Sequence, residues 1–166
     1  SFSILAIFLI SCQPDLPAEV DQAYQELPEV IDYNFHVKPI ISDRCYACHG
    51  PDKETRKAGL RLDIEENAFA ALESGSRAFA HGNLNKSEAV NRILSEDPEK
   101  QMPPPDSKMS LDAKEIATIV KWVAQGAEWK PHWSFIVPEK PEVPDDFPNK
   151  WAPNNEIDHF IYQRLD

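Results

Sequence analysis

The pentapeptide Cys45-Tyr46-Ala47-Cys48-His49 constrains this chain more than any other feature. Two thiols three residues apart, followed at once by an imidazole, put three metal- or cofactor-binding groups on one helical turn. Three chemistries use such a turn. Covalent attachment of a porphyrin needs thiols that reach two vinyl groups on one edge and an imidazole that the same turn delivers to the iron; CxxCH is the c-type signature. A structural zinc site needs a second close pair of ligands. A thioredoxin-like dithiol needs a βαβ setting. His36, His81, His132 and His159 stand alone with no cysteine near them, and no βαβ pattern surrounds the motif. The residues favour the haem clamp, with zinc and dithiol as the alternatives.

The flanks suit a clamp. In YNFHVKPIISDRC, Phe35, Val37, Ile40 and Ile41 form a mostly apolar run. Pro39 kinks or starts a short helix leading into the cysteines, and Gly50-Pro51 ends it. Iron in an electron carrier takes a sixth ligand, and methionine opposite histidine is a common choice. There are two candidates. Met102 sits in QMPPPD, where three prolines stiffen the loop and fix where the thioether points. Met109 sits in SKMSLDAK near a helix start and reads better as flexible packing. Met102 is the favoured ligand.

The following stretch, SLDAKEIATIVKWVAQGAEW, is a closing helix. Ser110 or Asp112 caps it, Glu115 completes a capping box with Asp112, and Ile116, Ile119, Val120 and Val123 recur at helical spacing. Gly126 is the expected C′ residue. Trp122 reads as core sooner than as a residue stacked on the cofactor. A clamp helix, a variable middle, a methionine loop and a closing helix make a mainly α fold, a small class I-like cytochrome c layout.

Charge and proline divide the rest. A formal net charge of -11 excludes a basic nucleic-acid footprint and is most simply a solvated face. Residues 2–10, FSILAIFLI, are too short for a comfortable membrane span and suit a secretory h-region. Ser11-Cys12 then resembles a lipobox, so residues 1–12 are expected to be a truncated lipoprotein signal peptide with Cys12 as the lipid-attachment residue; the alternative is a short buried strand ending in a free cysteine. Residues 13–31 read as a tether. Residues 132–153, with Pro138, Pro141, Pro144, Pro148 and Pro153, read as a linker. Residues 154–166 place Ile157, Phe160, Ile161 and Leu165 on one helical face.

The stretches VKPIISDRCYACHGPD, KAGLRLD, QMPPPD and IVKWVAQGAEWKPHWSF come in an order that resembles the Planctomycete-type cytochrome c domain. The likeness runs from about residue 33 to residue 131, and the domain is placed at 32–131. GLRLD, MPP and the tryptophan-to-GA ending are narrower signals than CxxCH alone. The resemblance implies one covalent haem c on Cys45 and Cys48, with His49 and Met102 on the iron. It implies that GLRLD is a turn and strand-like link, whose Arg61 either meets a haem propionate or faces solvent. Gly82 and Ser87 fit the family, whereas Asn83 stands where an acidic residue is common; that loop is expected at the pocket rim. It also makes residues 154–166 the opening of a downstream domain of unknown function in a larger exported protein.

Three functions follow as expectations. The first is single-electron transfer by a lipid-anchored, periplasmic or cell-envelope cytochrome, with a redox partner protein or the downstream domain as partner. The second is a haem enzyme or gas sensor with an open sixth iron site. The third is a structural or binding module of a polysaccharide-degrading system. No carboxylate pair or nucleophile triad marks a catalytic residue.

Overall fold

The computed structural model describes residues 16–145 and 153–165. Cys12 and the leader read over residues 1–12 lie outside them. The chain divides into two compact units, one ending at Trp133 and the other starting at Ser134. Among the described residues there are helices and turns, with two isolated bridges at Ala71–Arg77 and Arg77–Ser87 and no strand. The mainly α expectation holds.

In the first unit, helix α1 (Ala18–Glu26) packs on the closing helix. The sequence makes this stretch a tether, yet Val20, Leu27 and Ile31 are buried. A π-helical turn, Tyr33–Val37, then runs into α2 (Lys38–Arg44). Asp32 caps the turn by accepting from the Phe35 N–H at 3.0 Å. Pro39 falls in the first turn of α2, where its missing N–H costs nothing. Val37 and Ile41 are buried as expected, but Phe35 is exposed and Tyr33 takes the core position. The π turn adds a residue per turn and so shifts the buried face away from Phe35.

Helix α3 (Tyr46–His49) holds the end of the motif, and Gly50 stops it. After α4 (Glu65–Phe69) and α5 (Glu88–Ile93), the methionine loop leads to α6 (Ala113–Ala124). Asp112 caps α6, accepting from Glu115 N at 2.7 Å while Glu115 Oε2 accepts from Asp112 N at 2.9 Å. The helix ends in a Schellman arrangement: the Ala127 N–H donates to Trp122 O and the Gly126 N–H to Val123 O. Gly126 has φ of 112°, the left-handed side that suits glycine.

Trp122 is core. Its ring centroid lies 5.1 Å from Phe79 and 5.5 Å from Tyr33, and its Nε1–H donates to Glu128 O at 2.9 Å. The second unit contains α7 (Glu156–Leu165), on which Ile157, Ile161 and Leu165 are exposed. Within that unit His159 Nδ1 lies 2.7 Å from Pro144 O.

Candidate functional site

The CxxCH motif straddles the α2–α3 junction. Cys45 closes α2 by donating its N–H to Ile41 O at 2.9 Å, and its own carbonyl accepts from Cys48 N at 3.1 Å and His49 N at 2.8 Å. One turn therefore carries both thiols and the imidazole, and the two cysteines are free thiols.

The chain beyond the motif folds back over it. Lys57 N donates to Cys48 O and Leu62 N to His49 O, each at 2.8 Å. These bonds lay the GLRLD segment along the clamp; the turns of the expected turn and strand-like link are there, at 58–59 and 62–63, but no strand is. The bonds also bring Leu60 and Leu62 to the wall of an apolar cavity of about 330 Å³. Cys45, His49 and Met102 line that same cavity, with Phe79, Ile93 and Ile119 among its apolar walls. Cys45 and His49 of the clamp and Met102 of the methionine loop thus reach one cavity from positions more than fifty residues apart in sequence, whereas Cys48, on the same turn, is not among the residues that line it.

Met102 is positioned by its backbone: its N–H donates to Arg92 O, the end of α5, at 3.0 Å. Pro103 and Pro104 follow, and Ser107 then bonds back to Pro104 O through Oγ at 2.6 Å. Met109 lines a second cavity, beside Lys108 and Leu111, and does not line the first one; Met102 and Ile93 line both. The structure therefore places Met102, not Met109, with the motif.

The electrostatics suit a neutral apolar ligand face. Burial, then the nearby charges of Glu115 and Cys48, pushes the Cys45 thiol up to about 12. A thiol shifted this way is the opposite of an activated thiolate. Burial pulls His49 below its ordinary value; the Lys57 backbone opposes this and the Arg92 charge adds to it. The neutral imidazole is the ligating form. His49 Nδ1 is buried with no hydrogen-bond partner of normal geometry. Among the described residues no three His, Cys, Asp or Glu side chains form a metal cluster, as a structural zinc site would require.

Other expected residues fall around this cavity or away from it. Ser87 is fully buried, with Oγ accepting from Ala80 N at 2.9 Å and donating to Asn83 O at 2.8 Å, so it ties the loop that precedes α5. Asn83 Oδ1 accepts from Lys86 N at 3.0 Å, a turn role that needs no acid. Gly82 sits at φ 63°. Arg61 does not line the cavity; its guanidinium is committed to both carboxylate oxygens of Asp63. Sequence reasoning missed Glu88 and Arg92, which do line it. Their i, i+4 spacing on a short helix next to the rim loop was the available signal.

A helical domain that closes an apolar cavity over a CxxCH turn, with a methionine on the same cavity, has the architecture of a cytochrome c. More particularly, residues 45–106 match the family model described as Planctomycete cytochrome C. The match begins at the first thiol of the motif and ends just past the methionine loop. No curated protein and no solved structure matches the chain. A cytochrome c domain is a haem-binding electron carrier, and the family implies haem c. Among the described residues no helix is long and apolar enough to cross a membrane.

Proposed function

We propose that this chain is an extracytoplasmic electron carrier with one haem c, bound covalently through Cys45 and Cys48 and ligated by His49 and Met102. The observation that carries the reading is the meeting of Cys45, His49 and Met102 on one apolar cavity. When bound, the group supplies one-electron redox chemistry. The chain's own residues do the rest. The α2–α3 junction presents the thiols on one turn, His49 brings its imidazole to the cavity wall, where burial favours the neutral form, and Leu60, Leu62 and Phe79 give the site apolar walls. A Met102 thioether is a weak, soft donor that favours the reduced metal, and His/Met ligation raises the potential. Cys12 as a lipid anchor, a place in a larger exported protein, and a redox partner bearing a basic patch that complements the net charge of -11 complete the proposal.

The test is to mature the full chain in a host with a cytochrome c maturation system and record oxidised and reduced spectra. Haem that survives denaturation and acid-acetone extraction, with a far-red sulfur-to-iron band, is the expected result. Met102→Ala should abolish that band and Met109→Ala should leave it. Bound haem without the band in the parent would instead indicate an open sixth site, as in a haem enzyme or gas sensor. Zinc in place of haem would end the cytochrome reading.

A further inference from the structure

The apolar cavity contains one lysine or arginine among the residues that line it, Arg92, and two carboxylates, Glu73 and Glu88. Arg92 and Glu88 stand one turn apart on α5, with Arg92 Nε donating to Glu88 Oε1 at 2.8 Å. Both side chains are about a third exposed, at 37% and 32%, which places the pair where cavity meets solvent. Beyond that bond the guanidinium makes only a long one, 3.5 Å from Nη1 to Lys100 O, among the described residues. Most of its N–H donors therefore have no protein acceptor. Glu88 fixes one edge of the fork and leaves the other edge available.

A haem brings two propionate carboxylates, and a planar guanidinium binds a carboxylate with two parallel hydrogen bonds. The cavity rim offers one such group. We propose that Arg92, held in place by Glu88, binds a haem propionate and is the cation by which this chain raises the potential of its haem. The assignment rests on the haem reading above and replaces Arg61, whose fork is already filled by Asp63. Electrostatics gives the direction. The oxidised centre carries one more positive charge than the reduced one, so a fixed cation beside it, or a neutralised propionate, favours reduction. The same residue also holds Met102, through its carbonyl, at 3.0 Å. One end of one short helix thus sets both a charge near the haem and the backbone of its axial methionine.

The test is an equilibrium redox titration of the full matured chain, followed by the visible bands, for the parent and four variants. Arg92→Gln should shift the equilibrium toward the oxidised form by about tenfold, a potential about 59 mV lower for one electron. Its sulfur-to-iron band should persist, which separates a lost charge from a displaced Met102. Arg92→Lys should recover most of the shift. Glu88→Gln removes the opposing anion and should raise the potential. Arg61→Gln should leave it unchanged. A haem-bearing parent whose potential ignores residue 92, or follows Arg61 equally, overturns the proposal while the haem reading stands. If Arg92→Gln attaches no haem, Glu88→Gln decides, and no rise there overturns it. A parent that attaches no haem overturns the haem reading and this proposal together.

Discussion

At the scale of the residue, Gly50 shows how tightly the motif is boxed in. A Cβ there would lie 2.4 Å from Tyr46 O and 2.9 Å from Tyr46 Cβ, backbone and near-backbone atoms of α3 that cannot swing aside. The turn carrying Cys48 and His49 would have to unwind to admit it. Gly50→Ala should therefore cost roughly 1–3 kcal/mol, the range for overpacking a tight site, and lower the yield of haem-loaded protein. Thermal melts and the haem-to-protein ratio measure both, and parent-like values for both would show that the turn has slack. Cys45, Cys48, His49 and Met102 could be picked out as candidates from sequence because each carries its chemistry in its residue type; that Cys45, His49 and Met102 share a cavity could not. The cation at the cavity was not. Arg61 and Arg92 are equally basic on paper; what separates them is that Asp63, two residues away, fills one fork, while α5 aims the other at the cavity.

At the scale of the element, the same division appears. The cap of α6 could be read directly, since Asp112 and Glu115 are three residues apart and the capping box is local. Helix α1 could not. Its apolar stripe, Val20, Ala23, Tyr24 and Leu27 at i, i+3, i+4 and i+7, is short and set among acidic and proline residues, and what docks it lies more than ninety residues away. Lys121 Nζ donates to Tyr24 O and Leu27 O at 3.4 and 3.3 Å. Gln125 accepts from Ile31 N at 2.9 Å and donates to Glu29 O at 2.6 Å. Proline punctuation and acidity suggested a tether, and tertiary contacts overrode them. A chain starting at residue 32 loses the burial of Val20, Leu27 and Ile31, each worth about 1.5–3 kcal/mol when complete. Such a sum is a large share of the 5–15 kcal/mol typical of a domain. Residues 32–133 should melt well below residues 16–133, by roughly ten degrees or more; equal melting temperatures would make α1 a bystander.

At the scale of the whole molecule, the first unit is closed by polar ties between the segment that enters α2 and the segment that leaves α6. Asn34 Nδ2 donates to Pro131 O at 2.8 Å, and Lys130 Nζ meets Asp32 Oδ2 at 2.8 Å across 98 residues of sequence. Asp32 also caps the π turn, so one carboxylate joins the entry to α2 with the exit from α6. Burial raises its pKa, but the Lys130 contact and the Phe35 N–H outweigh that and hold it below its ordinary 3.8. Asp63 is likewise held low, by Arg61 against burial. A depressed carboxylate binds fewer protons folded than unfolded, so its contribution is complete above about pH 4 and disappears as the pH falls through the folded value. Stability measured by urea melts should fall on going from pH 5 to pH 3. In Asp32→Asn the neutral-pH stability should already be lower and the acid slope shallower, because Asn can still accept from Phe35 N but has no charge to lose. An unchanged slope would mean that the tie between Asp32 and Lys130 is too well screened by solvent to hold these two segments together.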